Sequence, residues 1–252
     1  MIKFPFVFER NFGRTLLPEI KNMFNAAEPF PHVVVDNFLP LEFANFLLNN
    51  FPSKDHPVWL DWKKRSPNQY KKLGFGDSSN FYKISNELQI ALNEFNRATI
   101  LSLLEDITNI KGLLPDPYFI GGGMHQILKG GLLDIHTDFN EHKRLKIFRR
   151  LNLLIYLNQS WIPNHRGELE FWSNSIKNKG KCVKKISPLF NRAVLFKTDK
   201  NSYHGHPSIW NAPSEVTRKS IALYYYTSYP ENNAVYDAKT DWQNISKRSL
   251  PS

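Results

Sequence analysis

The hydrophobic positions change their spacing part-way along the chain. Ahead of about residue 110 they recur at helical intervals. Phe43, Phe46, Leu47 and Phe51 form one stripe and predict a helix from about Leu41 to Asn50, with Pro40 suited to its first turn. Leu88, Leu92, Phe95, Thr99 and Ser102 form a second stripe, widened by Ala91, Ala98, Leu101 and Leu104. It predicts one long helix starting near Ser85 or Asn86. The β-branched Val33, Val34 and Val35 predict a strand within residues 31–39. Residues 53–82 are polar, interrupted by Pro57 and Pro67, and read as a long loop. From about Tyr118 the pattern becomes short β-rich runs between turn residues. Strands are predicted near 118–128, 131–138, 151–158, 167–173, 181–187, 192–198, 202–207 and 218–228. About eight short strands at this spacing predict an all-β barrel or sandwich, with the helices covering one outer sheet face. The expected division is a mainly helical support region over 1–110, a β core over 111–230 and a C-terminal tail over 231–252.

Composition narrows the class. Hydrophobic residues are 41% and charged residues 22% of the 252, which excludes wholesale disorder. The 19 Phe, 10 Tyr and 6 Trp supply the apolar mass of a real core. The lone Cys182 excludes an intramolecular disulfide and a Cys-rich zinc module, and fits a reducing compartment. No apolar run approaches the ~20 residues of a membrane span. The opening MIKFPFVFERNFG is broken by Pro5 and charged by Glu9 and Arg10, a poor secretory signal, so a cytoplasmic protein is expected. The formal net charge is +10. The densest basic stretches run from His142 to Arg150 and from Lys177 to Lys185. Both read as solvated loops. Neither carries a nucleic-acid module, and nucleic acid is not an expected partner.

Five elements carry chemistry. In Gly130-Gly131-Leu132-Leu133-Asp134-Ile135-His136-Thr137-Asp138, His136 and Asp138 are two apart and share one strand face. An imidazole and a carboxylate held together can supply two metal ligands. In Tyr203-His204-Gly205-His206-Pro207, a distal histidine could complete a two-His, one-carboxylate set, which binds Fe(II) and leaves positions open. Spacing alone does not choose between His204 and His206. Arg218 opens a strongly β run and could pair bidentately with a carboxylate, with Ser220 on the same face. Within the run Leu151–Asn158, Tyr156 carries a polar tip that needs a partner if buried. Gly167-Glu168-Leu169-Glu170-Phe171-Trp172 is an alternating strand begun by glycine. Each element alone has an ordinary structural explanation.

Taken in order, the five elements resemble the Fe(II)- and 2-oxoglutarate-dependent oxygenase superfamily, and within it the prolyl 4-hydroxylase-like branch. The resemblance covers roughly residues 118–228, with a weaker echo at Val33–Pro52. It implies a double-stranded β-helix (jelly-roll, cupin-like) core, a mainly β fold with flanking helices. It implies Fe(II) ligation by His136, Asp138 and His204, the last chosen because that branch places its ligand before a glycine. Arg218, Tyr156 and Ser220 match positions that hold the far carboxylate of 2-oxoglutarate. The implied reaction couples oxidative decarboxylation of 2-oxoglutarate by O2, giving succinate and CO2, to hydroxylation of an unactivated C–H bond. The substrate would be a prolyl residue, a free amino acid or a small metabolite, with ascorbate a candidate reductant. Pro207 is expected to place His206 at the rim, as a substrate-pocket or neighbouring residue. The sequence departs from relatives in His165-Arg166-Gly167, where two glycines are common, and in a longer interval from His204 to Arg218. Two other readings compete: a non-catalytic cupin-like binding module, and a nucleic-acid demethylase. The latter usually carries a second Arg six residues after the first, where this chain has Tyr224. His125 is expected to be a pocket wall or core residue, and His142 and His165 to be solvated.

Overall fold

A computed structural model describes residues 6–61, 67–231, 236–237 and 239–243. Five helices precede the core: α1 (Leu17–Ala26), α2 (Leu41–Asn49), α3 (Ser78–Phe81), α4 (Asn86–Asn93) and α5 (Ala98–Thr108). The strands are β1 (His32–Val35), β2 (Leu60–Asp61), β3 (Lys72–Gly74), β4 (Leu114–Pro115), β5 (Gly123–Ile127), β6 (Leu133–Thr137), β7 (Phe148–Tyr156), β8 (Leu169–Trp172), β9 (Cys182–Ile186), β10 (Arg192–Lys197), β11 (Tyr203–His206), β12 (Arg218–Thr227) and β13 (Asp241–Trp242).

The strands form two antiparallel sheets. The major sheet runs β1-β10-β7-β12-β5-β3-β2, with β4 also on β12, and the minor sheet runs β13-β6-β11-β8-β9. This is the double-stranded β-helix arrangement. All eight strands expected after Tyr118 are present, as short β-rich runs bounded by turn residues.

The side-chain alternation of β7 explains the layering. Leu151, Leu153 and Ile155 point to one face and pack with Phe43, Leu47, Phe95 and Leu104 of the helical layer. Asn152, Leu154 and Tyr156 point to the other face, between the sheets, where Tyr156, Leu169, Phe171, Val194 and Phe196 form a second apolar cluster. One sheet face therefore anchors the helices and the opposite face walls a cavity.

Helix ends follow local chemistry. The Pro40 carbonyl accepts from Phe43 N at 2.9 Å and Ala44 N at 3.0 Å, opening α2 as expected. Ser85 Oγ accepts from Leu88 N at 3.2 Å and caps α4. The long helix expected from Ser85 is broken instead. Arg97 is extended, at φ −84° and ψ 160°, and α5 restarts with Ile100 N and Leu101 N donating to the Arg97 carbonyl. At the break, Glu94 is spent on tertiary contacts, accepting from Phe8 N at 3.2 Å and pairing Arg97 at 3.0 Å.

The segment read as a loop over 53–82 holds β2, β3 and α3; residues 62–66 of it lie outside the described part. These elements are two to four residues long, too short for a period to show. The first basic stretch is also not a solvated loop. His142 and Arg149 are fully buried and Arg150 is 7% exposed, because the stretch runs into the central strand β7. His165 is half-buried against Trp210, with ring centroids 5.7 Å apart. The second basic stretch remains exposed and ends in β9, an edge strand carrying Lys184 and Lys185. Among the described residues, no helix is long and apolar enough to cross a membrane.

Candidate active site

His136 and His204 face each other across the β6–β11 pair, in direct register. Their side chains are oriented by backbone carbonyls. His136 Nδ1 lies 2.7 Å from the Asp134 carbonyl and His204 Nδ1 lies 2.8 Å from the Ser202 carbonyl. A carbonyl can only accept, so each Nδ1 carries the proton and each Nε2 presents a lone pair. Those Nε2 atoms converge on Asp138, at 3.6 Å from Oδ1 for His136 and 3.3 Å from Oδ2 for His204. One ligand atom from each of the three residues falls within 4.8 Å of the others. Two neutral imidazoles and one carboxylate on one side of an open cavity fit Fe(II) with positions left for other ligands. Burial pushes the His136 imidazolium down, with the neighbouring His204 adding to the effect, which keeps the ring in its ligating form.

His204 reaches this position because Gly205 has no side chain. A Cβ there would lie 2.6 Å from the Asp134 carbonyl oxygen. The β6–β11 register also shifts between His204 and His206, so His206 opposes Leu133. His206 keeps the face of His204, two residues earlier on the same strand, and points inward. It is 2% exposed and lines the cavity wall, not the rim. The expectation from Pro207 fails because β11 keeps its alternation through His206, up to the proline itself.

Asp138 is held by two residues not singled out from the sequence. Its Oδ2 accepts from Arg149 Nη2 at 3.0 Å and from Asn152 Nδ2 at 2.8 Å. Arg149 Nε donates to Asn152 Oδ1 at 2.8 Å, and its guanidinium lies 3.4 Å from the Tyr224 ring centroid. Burial alone would raise the Asp138 carboxyl; the Arg149 charge beside it instead holds it well below the usual range. Arg149 faces this site through a bulge in the β7–β12 pair, where Tyr225 opposes Leu151 but Tyr226 opposes Arg149. The skipped Arg150 points elsewhere, to Thr227 and Glu231. Strict alternation cannot show this. A two-arginine pair opening a central strand was the available signal.

Arg218 is 4% exposed and fixed at both sides of its fork. Its Nε donates to the Gly167 carbonyl at 2.7 Å and its Nη2 lies 3.3 Å from the Tyr156 hydroxyl. Gly167, at φ +72°, permits this approach, since a Cβ there would meet Trp210 at 2.6 Å. Burial raises the Tyr156 phenol, opposed by Arg218, so the hydroxyl stays protonated. Ser220 pairs in register with both Tyr156 and His125. His136, Asp138, His204, Arg218, Tyr156 and Ser220 all line one cavity of about 580 Å³ of empty space, open mouth included. His125 is a wall of it, as expected, and Lys72 of β3 joins it from the segment read as a loop. The C-terminal segment adds β13, which pairs with β6 and lays the Trp242 ring 4.6 Å from that of His136.

Family comparison agrees with this geometry. Residues 122–226 match the model of the 2OG-Fe(II) oxygenase superfamily. That segment holds every candidate ligand and anchor of the site, and it is the segment of an Fe(II)- and 2-oxoglutarate-dependent oxygenase. Similar solved structures include a prolyl hydroxylase in complex with a hypoxia-inducible-factor peptide from Trichoplax adhaerens, at 19% identity and TM-score 0.57, covering 86% of this chain and 94% of that one. A prolyl 4-hydroxylase from Phytophthora capsici aligns at 20% identity and TM-score 0.53, covering 90% and 70%. SnoN, an α-ketoglutarate-dependent epimerase of nogalamycin biosynthesis, aligns at 11% identity and TM-score 0.56, covering 91% and 99%. At these identities the structures share the fold with this chain. Among curated proteins, none matches by sequence.

Proposed function

We propose that this oxygenase hydroxylates an unactivated C–H bond of a small molecule or peptide, with Fe(II) on His136, Asp138 and His204 and 2-oxoglutarate on Arg218, Tyr156 and Ser220. The observation that carries the assignment is the convergence of the three ligand atoms in one cavity with the fixed Arg218–Tyr156 pair. Bound Fe(II) supplies a centre at which 2-oxoglutarate and O2 react to drive C–H oxidation. The chain supplies position. The Asp134 and Ser202 carbonyls aim two lone pairs at the metal. Arg149 and Asn152 fix the Asp138 carboxylate. Arg218, with Nε occupied by Gly167, offers Nη donors to the far carboxylate of 2-oxoglutarate beside the Tyr156 hydroxyl. The apolar walls Leu154, Leu169 and Ala222 limit water around the reacting atoms.

A prolyl residue is one candidate substrate, supported by the shared fold with prolyl hydroxylases. Free amino acids and small metabolites are the others. The lone Cys182 suits the cytoplasm. Its thiol is pushed up to about 11 by burial and by Glu170, so it does not compete as a thiolate ligand. The test is aerobic incubation with Fe(II), 2-oxoglutarate and a panel of prolyl peptides and free amino acids. Succinate should form only with iron present, and one panel member should gain the mass of one oxygen atom. Succinate release from the iron-free protein would contradict the assignment.

A further inference from the structure

The cavity holds one cation that the cosubstrate assignment does not use. Lys72, on β3, stands in register with Ile127 on β5, which stands in register with Arg218 on β12. Directly opposed residues share a sheet face, so Lys72 and Arg218 enter the cavity on either side of Ile127. The Lys72 ammonium donates to Gln69 Oε1 at 3.0 Å and interacts electrostatically with Asp138, Arg218, His125 and His206.

Charge balance gives this lysine a meaning. Among the residues lining the cavity, Asp138 is the one acid, against Lys72 and Arg218. Fe(II) on Asp138 carries one net positive charge, and the two basic side chains add one each. The 2-oxoglutarate dianion removes two. One positive charge is left at a half-buried lysine facing the open cavity, even before the Arg149 behind Asp138 is counted. An arriving anion can pair with it in place of water. A second polar group points the same way. His125 is hydrogen-bonded to the Gly121 backbone, and its Nε2 is buried without a partner among the described residues. That nitrogen lies on the strand between Lys72 and Ser220.

Resting on the oxygenase assignment above, we propose that the substrate is itself a small acid, which presents a carboxylate or similar anionic group to Lys72. A proline flanked by uncharged residues inside a peptide offers only neutral amides at that point; a free amino acid or other carboxylic acid offers the missing charge. Burial drives the Lys72 ammonium down to about 8, opposed by Asp138, so an arriving carboxylate would also restore its full protonation.

The experiment uses acetate as the probe and acetamide as its neutral twin. Each is titrated calorimetrically into the anaerobic protein saturated with Fe(II) and 2-oxoglutarate, at constant ionic strength. Acetate should bind and acetamide should not. Lys72→Met should weaken acetate binding about tenfold or more, with 2-oxoglutarate affinity unchanged, and Lys72→Arg should restore it. The proposal is overturned if acetate binds no better than acetamide, or if its binding survives in Lys72→Met. A tenfold loss of 2-oxoglutarate affinity in Lys72→Met would overturn it differently, making Lys72 a cosubstrate ligand. The wild-type comparison stands even if Lys72→Met fails to fold. Failure of the underlying assignment would look distinct, because 2-oxoglutarate would not bind the Fe(II)-loaded wild type at all.

Discussion

Removing Arg149 would leave the Asp138 carboxylate buried beside Asn152 with its charge-assisted partner gone. Breaking one side of a buried pair costs about 3–5 kcal/mol, so Arg149→Met should lower the urea midpoint strongly, whereas Arg150→Met should lower it less, since Arg150 pairs at 3.7 Å with Glu231, which is half-exposed. Equal effects of the two changes would mean that the bulge does not select Arg149. Gly205→Ala is the complementary change. The added methyl would meet the Asp134 oxygen at 2.6 Å, and overpacking of this kind costs about 1–3 kcal/mol. Its sharper signature should be weaker Fe(II) binding, because the strand must move His204. Arg218→Ala should weaken 2-oxoglutarate binding by about 2–5 kcal/mol while sparing Fe(II); a metal affinity that falls equally would place Arg218 elsewhere in the mechanism.

Long elements were legible in the residues. β12, and β7 from Leu151 onward, read as strongly β runs, and α2 shows its stripe and its proline. What escaped sits where periodicity breaks or is too short to exist. Arg149 owes its direction to a bulge, which reverses the alternation after a single residue. Lys72 lies on a three-residue strand inside a polar segment, and Trp242 on a two-residue strand in the tail. The helix break at the extended Arg97 coincides with a tertiary contact, Phe8 N donating to Glu94, which no local period reports. At this scale the docking of the helical layer can be tested. The Tyr225 hydroxyl donates to the Phe95 carbonyl at 3.0 Å in a fully buried setting. Tyr225→Phe should cost about 1–3 kcal/mol by leaving that carbonyl unsatisfied, read as a lower denaturation midpoint with the metal site intact. An unchanged midpoint would show that the hydrogen bond does not help tie the layers.

Across the whole molecule, the two sheets divide the labour. The minor sheet carries both histidines, on β6 and β11, while the major sheet carries Arg218, Tyr156, Asn152 and Lys72 on the facing wall. The proposed metal ligands and the proposed cosubstrate anchors therefore meet only in the folded sandwich, and the helices on the outer face keep the major sheet in place. The most direct measurement of this account is the visible absorption of the anaerobic protein on adding Fe(II) and then 2-oxoglutarate. A metal-to-ligand charge-transfer band should form in the wild type and in His206→Ala, and should be absent in Asp138→Ala and His204→Ala. A band that survives in His204→Ala and is lost in His206→Ala, or that never forms in the wild type, would contradict the assignment of the site.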